Sequence, residues 1–257
     1  MANTMTPIAQ PAFARLDWES GHFGFHVAQP ANSDLSDADL GATLRLARRD
    51  GVRLLVLPAS GGRDVPRELL DEFAGTLVDR KATFCRQFEQ TANDRPQAEV
   101  QPTVVPYSAA TVSAELFELA ISAGAYSRFH VDSNFSREKF EAMYRRWIER
   151  SVTGEMADAV LVAPINREGA DQGRLGGMIS LSESAGVASI GLIAVASEVR
   201  GTGIGSALMQ AAHVWMQHRH AREARVITQL ANLPACRLYE RAGYRLSLVQ
   251  HFFHFWL

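Results

Sequence analysis

Residues 199–206 read VRGTGIGS: Arg200 is followed by glycines at 201, 203 and 205 and a serine at 206. A stretch with so few side chains lets successive backbone N–H groups close on an anion, and Arg200 adds a fixed positive charge. Spacing then separates the phosphate ligands. A dinucleotide-binding turn needs G-x-G-x-x-G after a strand and an acid closing the next strand. Here the third glycine comes one position early, and the next strand ends in Gln229 and Leu230. A Walker loop needs a lysine before Ser or Thr beyond its last glycine, and none stands there. What remains is a turn between a strand ending at Val195 and a long helix. Its N–H groups, from Arg200 through Gly201, Thr202, Gly203, Ile204 and Gly205 to Ser206, can converge on a pyrophosphate at the positive end of the helix dipole.

The loop AYSRFHVDSNF, residues 125–135, is a second candidate. Arg128 can meet a diphosphate, Phe129 can stack on a base or sugar, and His130 is weighed as a base and as a contact for the acceptor. A structural role is the competing reading for Arg128 and Phe129, and a polar loop or surface role for His130. Glu183 is a further carboxylate weighed as a base against a polar role at the surface. The paired aromatics of HFGF, residues 22–25, are read as core. His251 and His254 are three apart on a strand and face opposite sides. His213, His218 and His220 straddle a helix end, where positive charge is favourable. Cys85 and Cys236 have no partner at ligand spacing, so no metal site is expected and both thiols are expected free.

The elements that position these residues follow from periodicity. Residues 1–13 read as a loose leader. A strand-like pattern starts at Leu16, a helix covers 36–49, and the apolar run VRLLVLP (52–58) suits a buried strand. A short helix with Pro66 near its start and a strand over 77–89 complete a small α/β domain, residues 1–90. Residues 91–103 are polar, contain two prolines and read as a linker. The second domain, 104–257, opens with helices over 111–123 and 136–151. The latter has Ser136 as N-cap, and its stripe of Phe140, Met143, Tyr144 and Trp147 is read as core. Strands AVLVAPI, LGGMISLSE and VASIGLIAV precede the glycine turn and a helix over 203–218. Strand ARVITQL, helix PACRLYERAG and two closing strands, YRLSLVQ and HFFHFWL, follow.

Composition bounds the partners. The 257 residues are 47% hydrophobic, enough for one large or two modest α/β domains. The formal charge of −2, from 26 Lys+Arg against 28 Asp+Glu, supplies no field for nucleic acid or anionic lipid, so neither is expected as a partner. No run has the length of a signal peptide core or of a membrane span, which places the protein in the cytoplasm.

The run VASEVRGTGIG (195–205) resembles the acetyl-coenzyme A motif of the GCN5-related N-acetyltransferase (GNAT) superfamily. Asn232, Ala235, Tyr239, Gly243 and Tyr244 in NLPACRLYERAGY resemble its second signature, in the right order. Ser197 and Val199 depart from the usual proline and aromatic, and neither change removes a phosphate-binding N–H. The resemblance implies an α/β (α+β) fold with a mixed, splayed central sheet, here preceded by the smaller α/β domain. It implies that Ile193, Ala194 and Val195 carry the pantetheine arm, that the turn and Asn232 hold the remainder of acetyl-CoA, and that Tyr239 protonates the departing thiolate. From the sequence alone, a packing role for Tyr239 is an even alternative. LDWESGHFGF, YSRFHVDSNF, YRRWIERSV and IGLIA further resemble the dTDP-fucosamine acetyltransferase family. That narrower likeness implies an amino-sugar nucleotide acceptor, met by Arg128, Phe129 and His130, and a homodimer. The competing readings are another small amine or a peptide N-terminus as acceptor, or a coenzyme A-binding module without catalysis.

Overall fold

The computed structural model describes residues 12–88, 103–165 and 174–257. All but the last position of the segment read as a linker, and all but two of the leader, lie outside these residues. The chain divides into two compact units, one running to Arg80 and including Val249–Leu257, the other comprising Lys81–Leu248. The division falls inside two long strands, β4 (Gly75–Gln87) and β10 (Arg245–Trp256). The sequence reading places its boundary in the 91–103 segment.

The first unit contains β1 (Phe13–Arg15), α1 (Asp17–Phe23), β2 (Val27–Pro30), α2 (Asp37–Arg49), β3 (Leu54–Ser60) and α3 (Arg67–Glu72). The strand expected from Leu16 is a helix instead. Asp17 and Glu19 sit in its first turn, and Gly24 ends it in the left-handed region at φ 82°. The Ser20 hydroxyl ties it to β2, donating to Val27 O and accepting from Val27 N–H. The apolar run at β3 is buried along Leu54, Leu55, Val56 and Leu57, as a central strand requires. It lies parallel to β2 and antiparallel to the end of β10, with Leu54 opposite Trp256. Leu40, Leu44 and Ala47 of α2 close the core with Leu55, Leu57, Phe73, Phe253 and Phe255. The two closing strands of the sequence reading are one, because YRLSLVQHFFHFWL contains no Gly, Pro, Asn or Asp to turn it.

The second unit holds β5 (Val105–Pro106), α4 (Ala114–Ala123), α5 (Arg128–Val131), α6 (Arg137–Val152), β6 (Ala159–Pro164), β7 (Leu175–Ser184) and β8 (Val187–Val195). α7 (Ile204–His218), β9 (Glu223–Gln229) and α8 (Leu233–Arg241) complete it. Its strands run β4-β9-β8-β7-β6-β5, and β8 and β9 are parallel while the other pairs are antiparallel. The mixed α/β sheet is the one expected. Leu161, Ala163, Ile179 and Leu181 face α7, which buries Ile204, Leu208, Met209 and Ala212 against them. Residues of the other parity, Val160, Val162 and Met178, turn to the opposite face, where α4 packs on β7 and β8 and α6 on β6. Gly176 and Gly177 let α7 approach. A Cβ on Gly177 would stand 2.9 Å from both Ile204 and Leu208 and 2.8 Å from Ala194 O.

Candidate active site

Two features of β8 open the sheet beside it. The first is a bulge: Ile190 pairs with Leu181 and Ile193 with Ile179, so Gly191 and Leu192 together oppose Ser180. The phase of the strand changes there. Ala188 and Ile190 join the α7 core before the bulge, and Ile193 and Val195 pack against it afterwards. The buried Ser180 hydroxyl accepts the Leu192 N–H at 2.8 Å. A Cβ on Gly191 would stand 2.9 Å from Ser180 Oγ and 3.9 Å from Trp147 Nε1, so the position is kept clear between them.

The second feature is the end of the β8–β9 ladder at Ile190 and Val226, although both strands continue. Leu192 N–H goes to Ser180 and Ala196 N–H to Gly176 O, both on the β7 side. Alternation therefore turns the backbone groups of Ile193 and Val195 toward the β9 side, past the last ladder pair. Ala194 turns its own toward β7, its carbonyl close to Gly177. Of the three strand residues expected to carry a ligand through their backbone, Ile193 and Val195 present edge groups and Ala194 does not. The Val195 carbonyl accepts from Arg200 Nε at 3.2 Å.

Beyond Val195 a single 3-10 turn, Ser197–Val199, leads into the glycines. Gly201 and Gly203 have φ of 82° and 93°, and a Cβ on either would meet nothing within 4 Å, so backbone conformation and not crowding calls for glycine. Gly205 differs, since its Cβ would touch Leu238 at 3.5 Å and Val195 at 3.7 Å. The start of α7, the end of β8 and the middle of α8 meet at this point. Arg200 and Thr202 N–H bond within the turn, to Ser197 O and Val199 O at 3.4 Å. The N–H run expected from Arg200 to Ser206 is thus partly spent on the turn itself. Gly203 caps α7 without a side chain, which leaves the first-turn N–H groups of Ile204, Gly205 and Ser206 without an intrahelical acceptor, at the positive end of a 15-residue helix. Ile204 is anchored in the core while Gly201, Thr202, Gly203 and Ser206 are exposed.

Asn232 caps α8, its Oδ1 accepting from Ala235 N–H at 3.3 Å. Tyr239 follows Leu238 on this helix and is 2% exposed, in the same core as Ile193 and Val195. The rings of Phe84 and Tyr244 lie 5.8 and 6.1 Å from its own. Burial, then the fields of Cys236 and Tyr244, push its phenol well above the ordinary range, so it keeps its proton at any working pH.

The acceptor-loop residues lie elsewhere in the unit. Arg128, Phe129 and His130 form α5; the Arg128 guanidinium sits 4.6 Å over the Phe129 ring, and Phe129 meets Phe135 edge-on at 5.3 Å. His130 is exposed and lies 4.9 Å from Phe140. From there an aromatic row continues through Tyr144, 5.0 Å from Phe140, to Trp147, 5.8 Å from Tyr144, which borders Gly191. The stripe read as core is therefore core at Phe140, Met143 and Tyr144, while Trp147 is half-exposed beside the bulge.

One histidine reading needs correction, and one carboxylate takes the polar role weighed for it. His213 does not sit at a helix end as a cation. It is packed inside α7 beside Arg86, and burial first, then that guanidinium, lower its pKa to about 4. Glu183 accepts Gly186 N–H at 2.6 Å in the β7–β8 turn, which is the polar role. Gly191 and Ser180 were missed, and Trp147 was read only as core. The signal available in the sequence was the shift of apolar phase between Ile190 and Ile193 in VASIGLIAV.

Among the described residues no group of three or more His, Cys, Asp or Glu is placed to hold a metal, and no helix is long and apolar enough to cross a membrane. Residues 124–244 match the acetyltransferase (GNAT) family. Comparison with curated proteins gives no match. Solved structures share the fold at low identity. A GCN5-related N-acetyltransferase from Sphaerobacter thermophilus is 16% identical with a TM-score of 0.54, over 91% of this chain and 73% of that one. A conserved protein of unknown function from Staphylococcus epidermidis is 12% identical with a TM-score of 0.58, over 98% and 94%. The GCN5-related glucosamine N-acetyltransferase region of a fungal multi-domain β-N-acetylglucosaminidase is 15% identical with a TM-score of 0.50, over 95% of this chain and 30% of that one. The matched residues 124–244 all lie within the Lys81–Leu248 unit, and the match supports an acetyl-CoA-dependent N-acetyltransferase of the GNAT type.

Proposed function

We propose that this enzyme transfers the acetyl group of acetyl-CoA to the amine of an amino-sugar nucleotide of the dTDP-4-amino-4,6-dideoxyhexose type. The observation that carries the donor half is the ending of the β8–β9 ladder at Ile190 and Val226, with the glycine turn at one end of the opened edge and the helix of Tyr239 beside it. Ile193 and Val195 offer backbone groups to the pantetheine amides as an added strand would. The N–H groups of Ile204, Gly205 and Ser206, with Arg200, receive the pyrophosphate. Arg200 leaves the Val195 carbonyl to do so.

In the reaction the amine nitrogen forms a bond to the thioester carbon, the C–S bond breaks, and the amine loses one proton to water. Tyr239 hands its phenolic proton to the departing sulfur, giving the coenzyme A thiol, and water returns a proton to the phenolate before the next turnover. Its raised pKa keeps the phenol protonated until negative charge develops on the sulfur, and rules against its acting as the base.

The acceptor assignment rests on the sequence likeness of 16–25 and 126–135, and on the aromatic row from His130 through Phe140 and Tyr144 to Trp147 at the bulge. The fungal neighbour is a glucosamine N-acetyltransferase region, and glucosamine is an amino sugar. Arg128, Phe129 and His130 would meet the nucleotide, and the enzyme would act in the cytoplasm, where nucleotide sugars are made, as a homodimer. The test is thiol release from acetyl-CoA with dTDP-linked 4-amino and 3-amino sugars, polyamines and peptides as acceptors. Release with a dTDP-4-amino sugar above all others is expected. Preference for a polyamine or peptide replaces the acceptor, and binding of acetyl-CoA without release to any amine leaves only a coenzyme-binding module.

A further inference from the structure

A partly buried polar chain runs beside Tyr239, and the reaction as described does not use it. Arg86 of β4 places Nη1 3.0 Å from His213 Nδ1 and 2.7 Å from the Ala242 carbonyl. His213 Nε2 lies 3.3 Å from the Tyr244 hydroxyl, which points in turn at Met216 Sδ at 4.0 Å. A guanidinium only donates, so Nδ1 must accept. The proton of the neutral imidazole is then on Nε2 and is donated to Tyr244 Oη, and the Tyr244 proton goes to the methionine sulfur. Every proton in the chain has one place. The low affinity of His213 for a second proton agrees with that direction.

Both ends of the chain bear on the helix of Tyr239. Ala242 is the C-cap of α8, and Arg86 satisfies its carbonyl while setting a positive charge at the negative end of the helix. Gly243 turns the chain at φ 83°, close against the Arg86 guanidinium. Tyr244 then donates its N–H back to Tyr239 O at 3.0 Å and sets its ring beside that of Tyr239. The Tyr239 ring also meets Phe84, two residues before Arg86 on the same strand. A phenylalanine at 244 and an apolar residue at 213 would fill the same space without desolvating a histidine beside a guanidinium.

We propose that Arg86, His213 and Tyr244 are positioning residues for Tyr239, a directed hydrogen-bond chain that locks the last turn of α8 so that the phenol faces the departing sulfur. This rests on the assignment of Tyr239 as proton donor. The chain moves no proton and touches no substrate; it removes the freedom of the ring that does, and small misplacements of a catalytic group are expensive.

The test pairs two donors. Acetyl-CoA is compared with acetyl-selenocoenzyme A, whose selenolate leaves without needing a proton, with dTDP-4-amino-4,6-dideoxygalactose as acceptor. Tyr244→Phe and His213→Asn are expected to lower kcat with acetyl-CoA about 10-fold, leave KM for acetyl-CoA within about twofold, and lose most of that deficit with the seleno donor. Tyr239→Phe should show the same pattern more strongly, about 100-fold or more. Arg86→Lys, which keeps a donor and a charge, should lie between wild type and Arg86→Met. A deficit in Tyr244→Phe and His213→Asn that is equal with both donors marks a merely structural role, and no deficit at all overturns the proposal equally. Normal turnover in Tyr239→Phe overturns instead the assignment on which it rests. A second measurement needs no acceptor: in protein labelled with 3-fluorotyrosine, the Tyr239 resonance should broaden or shift in His213→Asn, and an unmoved resonance sinks the proposal.

Discussion

Where β8 runs into α7, the chain offers exposed main chain and almost no side chain. At the middle of α8, in the same unit, it offers a phenol sunk among aromatic rings. On the proposed reading these are the two ends of one coenzyme site, one gripping a pyrophosphate and the other meeting the sulfur. A pyrophosphate is held by several weak, similar N–H contacts that water already competes for, so no single residue of the turn should matter greatly. A sulfur leaving group is met by one donor in a water-poor place, where a lost proton has no substitute. The contrast predicts steep losses at the buried end and shallow ones at the exposed end.

The sharpest break in that comparison is Tyr239→Phe. Its kcat should fall about 100- to 1,000-fold while the acetyl-CoA dissociation constant, read by calorimetry, stays within about twofold. If affinity falls as far as kcat, the phenol is a packing residue and the two ends do not divide the work.

The next effect is on stability and belongs to the same buried end. His213 has its pKa lowered to about 4 in the folded protein, against an ordinary 6.5. As pH falls, the unfolded chain binds that proton first, so stability is complete above 6.5 and is lost progressively toward 4, by about 3 kcal/mol in total. Urea denaturation across this range should show the loss, and His213→Gln should flatten it. Equal pH slopes in the two proteins would mean that the imidazole is solvated.

At the exposed end, Gly203→Ala forces a side chain onto φ 93° with no clash to relieve. It should raise KM for acetyl-CoA about tenfold with kcat nearly unchanged, through strain in the unliganded turn. A fall in kcat of equal size would erase the distinction between the ends. Smallest of all, Arg200→Gln should weaken acetyl-CoA about two- to threefold at low salt, and the gap should close in 0.5 M salt because the guanidinium is exposed. A gap that survives high salt would instead point to the Arg200 contact with Val195 O as a structural tie.

What the sequence by itself determined is what short-range chemistry determines. The helices over 36–49, 111–123, 136–151 and 203–218 were legible from their periods and caps, and Ser36, Ser113 and Ser136 each accept the N–H three residues on. Gly201 and Gly203 were legible as a turn bare of side chains, while left-handed φ as the reason for them came from the structure, and the order of two spaced motifs pointed to an acetyltransferase domain. Three things came only from tertiary structure. The 17–23 segment is a helix because Ser20 finds Val27 across the turn, a contact no window of propensity contains. The opening of the β8–β9 ladder depends on a bulge opposite Ser180, which one strand read alone does not reveal. His213 could pass for a cation at a helix end until Arg86, 127 positions away in the chain, was packed against it. In each case the deciding partner is distant in sequence, and desolvation acts on whatever the fold brings together.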